Sequence, residues 1–179
     1  MDRGKVPQEI QLKSQTVENL NSLMANGAQI SFLRPDGSLS AIPDHCPLTP
    51  VIRVSIRPAS LENPKSALLG TEETTLYALL DTGADLVYID KYFAERHGYL
   101  SNSTAMVQGA SLTSEEKIYK ALFKLCDLKS HSTQSADFTS APLRENGRKF
   151  DVIVGMQLLS NGMLVMDFDS GVYRFNFTS

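Results

Sequence analysis

Cysteine is scarce in this chain of 179 residues: only Cys46 and Cys126 occur, and neither stands in a paired-thiol spacing. That excludes a disulfide framework, a thiol metal knuckle and a redox pair. Long apolar runs are missing as well. No stretch reaches the roughly 18 apolar residues of a membrane span, and the opening Met1-Asp2-Arg3-Gly4-Lys5-Val6-Pro7-Gln8 lacks the apolar core of a secretory signal. The expectation is a soluble protein of a reducing compartment, cytoplasmic or otherwise intracellular, or a piece excised from a polyprotein. Blocks of basic residues are absent: 17 Lys and Arg stand against 20 Asp and Glu, net charge -3. A phosphate-tracking surface is therefore not expected, nor is nucleic acid as a partner. His45, His97 and His131 are far apart, without a second ligand type at helical or knuckle spacing, so neither a metal nor another cofactor is expected. Ser111 has no Gly-x-Ser-x-Gly elbow around it, which disfavours a serine hydrolase. Internal repeats and low-complexity segments are also lacking.

What is present fits one domain with a short extension. Residues 1–45 read as that N-terminal extension. Val17, Leu20, Leu23 and Met24 fall at helical spacing over residues 14–26, with Gly27 as a stop. Two apolar runs, 30–33 and 39–42, flank Arg34-Pro35-Asp36-Gly37-Ser38, which predicts a hairpin. Pro43, Pro47 and Pro50 then punctuate the chain, placing a boundary near residues 43–50 and a main domain over 46–179. The extension is open to three readings: a propeptide, an arm embracing a dimer, or the remnant of a precursor. From Val51 onward the pattern is one of short strands, at 51–56, 74–80, 105–107, 118–128, 152–154, 163–167 and 172–177, with a long loop over 57–73. Asp90 caps a short helix that Gly98 ends. The fold class is all-β with one or two short helices.

The chemistry centres on Asp81. A carboxylate on a tight glycine-containing turn, directly after the apolar run 74–80, holds negative charge near a low-dielectric core. An ordinary turn between strands would also explain an isolated Asp-Thr-Gly, so the flanking residues matter. Leu79-Leu80-Asp81-Thr82-Gly83-Ala84-Asp85-Leu86-Val87-Tyr88-Ile89 resembles the active-site segment of the retropepsin-like aspartic proteases. The following Lys91-Tyr92-Phe93-Ala94-Glu95-Arg96-His97-Gly98 is similar to what succeeds that turn in retroelement and bacterial members. Downstream, Phe150-Asp151-Val152-Ile153-Val154-Gly155-Met156-Gln157-Leu158-Leu159 resembles the family's second signature, here Ile153, Val154 and Gly155, and Gly162 to Phe168 resembles its closing strand. The resemblance spans roughly residues 50–177.

The resemblance implies a retropepsin-like closed β-barrel and an aspartic-type endopeptidase acting on a peptide or protein substrate. The chemistry needs two carboxylates, and the sequence holds one Asp-Thr-Gly. A homodimer supplies the second by symmetry. The resemblance assigns catalysis to Asp81, a bond across the dimer axis to Thr82, substrate backbone binding to Gly83, and a compact turn to Ala84. Asp85 is either a substrate contact, as in some retroviral members, or a solvated turn acid. The Arg that follows the second-signature glycine in those members is replaced by Met156, so their ion pair is absent. A substrate-covering flap is expected over 106–121, with its tip near Gly109, Ala110 and Ser111. The alternative reading is a catalytically silent dimer that binds peptides or scaffolds a partner.

Overall fold

The structure is a computed structural model and describes residues 20–22, 25–59, 73–108, 113–128 and 133–177. Among the described residues eleven strands dominate: β1 (Ala28–Leu33), β2 (Leu39–Ser40), β3 (Pro50–Pro58), β4 (Thr74–Leu80), β5 (Tyr88–Asp90), β6 (Ser101–Gln108), β7 (Thr113–Leu125), β8 (Gln134–Ala141), β9 (Val152–Val154), β10 (Gly162–Asp167) and β11 (Val172–Phe177). Two short helices, α1 (Lys91–Arg96) and α2 (Met156–Leu159), follow β5 and β9. The all-β class expected from the sequence is what forms.

Six strands close on themselves in the order β3-β4-β9-β5-β8-β7, with β7 pairing back onto β3. Closure removes free edges from this part of the sheet. β-branched residues supply its wall: Val54 and Ile56 of β3, Ile89 of β5 and Val152 of β9 are each 1% exposed or less and share one core. β9 lies between β4 and β5, parallel to the first (Leu79↔Ile153) and antiparallel to the second (Tyr88↔Ile153). The loop joining β4 to β5 must therefore pass over the end of β9, and that crossing positions the site.

Outside the ring, β1 pairs with β3 (Ile30↔Ile52) and with β11 (Ala28↔Phe175), and β10 pairs with β11. Ile30 and Phe32 are fully buried in the same core as Val54 and Val152, and Phe32 meets Tyr173 edge-on at 4.9 Å. Burying side chains of this size stabilises by about 1.5–3 kcal/mol each. Residues on both sides of the proline-rich connection after β2 thus share one core. Pro35-Asp36-Gly37 turns the chain from β1 to β2: Gly37 has φ +91, Arg34 N donates to Ser38 O at 2.8 Å, and the Asp36 carboxylate accepts from Ser38 N. Of the helix expected over 14–26, residues 20–22 and 25–26 are described and helical; the others lie outside the described residues.

A further difference from expectation lies in β7 and β8. β7 starts at Thr113 and stops at Leu125, and a separate strand, β8, occupies 134–141. The sequence of β8, QSADFTSA, carries one bulky apolar residue, Phe138, so its alternation is faint, yet Ala136, Phe138, Thr139 and Ser140 are all buried. Asp90, 1% exposed, caps α1 through bonds from Tyr92 N (3.1 Å) and Phe93 N (3.0 Å), and its other oxygen accepts from Arg144 N (2.9 Å). One carboxylate thereby ties the helix start to the loop before β9.

Candidate active site

β4 delivers Asp81 at its C-terminal end. Leu80, 5% exposed, anchors the strand in the core, and Asp81 N donates to Val154 O at 3.1 Å, extending the β4–β9 pairing by one bond. The chain then turns. Ala84 N donates to Asp81 O (3.2 Å), and the Asp81 carboxylate accepts from Gly83 N (2.9 Å). Asp81 is half-buried, while Thr82 and Gly83 are exposed. The carboxylate is thus held by a local bond on one oxygen, at a surface one chain leaves open.

The second segment locks this turn from behind. A Cβ on Gly155 would lie 2.1 Å from Leu86 O and 2.5 Å from Ala84 O, so the backbone of the turn occupies the space any larger residue would need. Just beyond, Met156 N donates to Ala84 O (2.7 Å) and Gln157 N to Asp85 O (2.9 Å). These are N–H groups of the first turn of α2, which have no partner within the helix. The Gln157 side-chain oxygen accepts from Val87 N at 3.4 Å. Nothing in the sequence marks Gln157 for this role, since an amide after a glycine carries no chemical signature.

The structure brings Asp81, Thr82, Gly83 and Ala84 together with Val154 and Gly155. Ile153 sits in the middle of β9, between Leu79 and Tyr88. The Asp85 carboxylate is exposed and makes no hydrogen bond or ion pair among the described residues, and Met156 beside it is 40% exposed. Tyr88 registers both acids: burial pushes its hydroxyl pKa up, and the negative charges of Asp85 and Asp81 push it the same way. Gly109, Ala110 and Ser111 lie outside the described residues. The hairpin that flanks them is described, with Met106 of β6 68% exposed. Two cavities, of about 320 Å³ between Leu33 and Phe150 and about 520 Å³ beside α1, do not include the Asp81 turn.

The chain is similar to retropepsin-like proteases. It aligns with EIAV protease in complex with the inhibitor HBY-793 at 18% identity and TM-score 0.43, covering 70% of this chain and 100% of that one. It aligns with the simian foamy virus protease at 14% identity and TM-score 0.40, over 62% of this chain and 91% of that one. A retropepsin-like aspartic protease from Rickettsia conorii aligns at 12% identity and TM-score 0.37, over 79% and 85%. No protein-family model matches the chain, and no curated protein matches it.

Proposed function

We propose that this chain is an aspartic endopeptidase whose centre is completed by a second copy, Asp81 facing Asp81 across a twofold axis. The observation that carries the reading is the locked turn: the chain from Asp81 to Leu86 is held against Val154, Gly155 and Met156 by the backbone bonds Asp81 N to Val154 O and Met156 N to Ala84 O and by a contact that excludes a Cβ. Such rigidity has a chemical use. Two carboxylates roughly 3 Å apart cannot both ionise, so they share one proton and titrate as a pair. The ionised member takes a proton from a water held between them, and that water attacks the scissile carbonyl. The protonated member donates to the developing oxyanion, and a proton then passes to the leaving amine. A turn free to drift would lose this shared geometry.

The need for a second copy follows from the sequence, which holds one Asp-Thr-Gly. A surface for it is available. β10 pairs only with β11 among the described residues, and its other edge, along Met163-Leu164-Val165-Met166, carries no Lys, Pro or bulge of the kind that guards exposed edges. Pairing of two β10 edges would give a symmetric, self-complementary interface. The β6–β7 hairpin is the candidate lid over an extended peptide, excluding water during the reaction.

The test is digestion of a peptide library by purified wild type and Asp81→Asn, with sedimentation to read the assembly. Wild type should cut internal bonds as a dimer, and the variant should remain a folded dimer that cuts none. A dimeric wild type that cuts nothing at any pH would sink the protease reading in favour of a peptide-binding module.

A further inference from the structure

We infer that Ser140 and Glu116 form the hinge on which the β6–β7 hairpin turns. The inference deepens the proposed function, because it takes that hairpin as the lid of the Asp81 site.

β7 belongs to two structures at once. Its first half pairs with β6 alone, from Gln108↔Thr113 to Thr104↔Lys117; beyond that, where β6 follows for two more pairs (Ser103↔Ile118 and Ser101↔Tyr119), β7 also pairs with β8 from Ile118↔Thr139 onward and with β3 from Pro58↔Ala121. The ribbon therefore leaves the barrel between Lys117 and Ile118. An isolated two-stranded ribbon is marginally stable in water, so what holds its root decides how far it swings.

At the next position in register Ser140 would face Lys117. The β7–β8 pairing instead ends at Thr139, while the other edge of β8 stays on β5, where Ser140 pairs with Ile89 and Ala141 with Asp90. Lys117 N finds the hydroxyl of Ser140 at 3.1 Å. The same hydroxyl donates to a Glu116 carboxylate oxygen at 2.6 Å, and the other oxygen of Glu116 accepts from Ser114 at 2.9 Å. Ser140 is 4% exposed and Glu116 half-buried, so their bond is partly shielded from water, and a charge-assisted bond in that setting outweighs an exposed one. The ion pair of Lys117 with Glu95 on α1 is exposed on both sides and adds little. One buried hydroxyl thus replaces a ladder bond where two strands part, and one carboxylate fixes its orientation. Ser140 and Glu116 are positioning residues, acting on the site through the hairpin.

Hydrogen exchange of the full-length chain tests the hinge without reference to activity. In Ser140→Ala and Glu116→Ala, amides of residues 104–108 and 113–117 should exchange about tenfold faster, the change expected from one lost bond, with β3 and β4 unchanged. Glu116→Gln, whose amide oxygen still accepts from Ser140 without the charge, should fall between wild type and the alanine variant. Hairpin exchange unmoved in both alanine variants, equal acceleration in β3 and β4, or a Gln variant as fast as the alanine one would overturn the hinge. On a peptide the wild type cleaves, Ser140→Ala should raise KM more than it lowers kcat; a kcat loss at constant KM counts against the hinge. A wild type that cleaves nothing overturns the protease reading, and the exchange result still decides the hinge.

Discussion

Replacing Gly155 by alanine pushes a methyl group into the backbone of the turn that carries Asp81. The new carbon would stand 2.1 Å from Leu86 O and 2.5 Å from Ala84 O. Ordinary carbon–oxygen contacts begin near 3.3 Å, so the turn must retreat by about 1 Å. That retreat breaks or stretches the bonds from Met156 N to Ala84 O and from Gln157 N to Asp85 O, each worth about 1 kcal/mol. Overpacking adds about 1–3 kcal/mol, for a total of about 3–5 kcal/mol. Against a typical stability of about 5–15 kcal/mol the variant keeps little margin. Gly147 is the control. Its φ is +76, and a Cβ added there would meet nothing within 4 Å, so Gly147→Ala should cost only the left-handed penalty of about 1–2 kcal/mol. Urea denaturation of both variants beside wild type reads the difference, with the slope checked for constancy. A Gly155→Ala loss below about 1 kcal/mol, or one equal to that of Gly147→Ala, would refute the account of the locked turn. In an active enzyme a displacement of about 1 Å at Asp81 should cost about a hundredfold in rate even where the fold survives.

Other expectations follow from the same geometry. Asp90→Ala strands three backbone donors, on Tyr92, Phe93 and Arg144, and should cost about 3–4 kcal/mol; calorimetry should show Tm lower by roughly 10 °C, and a drop of about 2 °C or less would show the cap to be dispensable. The Tyr99 hydroxyl is buried without a hydrogen-bond partner among the described residues, so Tyr99→Phe should leave neutral-pH stability within about 1 kcal/mol of wild type. Burial raises the Tyr99 pKa, so the folded value exceeds the unfolded one near 10. Its contribution is complete below that unfolded value and is lost as pH climbs toward the folded one. Urea midpoints measured near pH 7.5 and above about 10.5 should therefore fall less in Tyr99→Phe than in wild type, and parallel slopes would contradict the burial assignment.

How much of this was legible in sequence depends on the range of the interaction. The apolar run 74–80, the Asp-Thr-Gly turn, the Asp90 cap and the Val152-Ile153-Val154-Gly155 segment are local statements, set by side-chain type and backbone preference within a few residues. They located Asp81 and the strands around it. The role of β1 was not local: its hydrophobic residues look like any small hairpin until β3 and β11 are seen to bury them. β8 was hidden because three of its four buried residues, Ala136, Thr139 and Ser140, are small, and what makes it a strand is the pair of neighbours it bridges, β7 and β5. Gln157 and Ser140 carry no motif at all. Each is defined by a backbone N–H some distance along the chain, on Val87 and Lys117, left without a ladder partner. Sequence alone determined where Asp81 stands and that each chain holds one copy of its Asp-Thr-Gly, since both are matters of residue identity. Only the tertiary structure decided what holds that acid still, because a glycine's missing Cβ has meaning only against the carbonyl groups that fill its place.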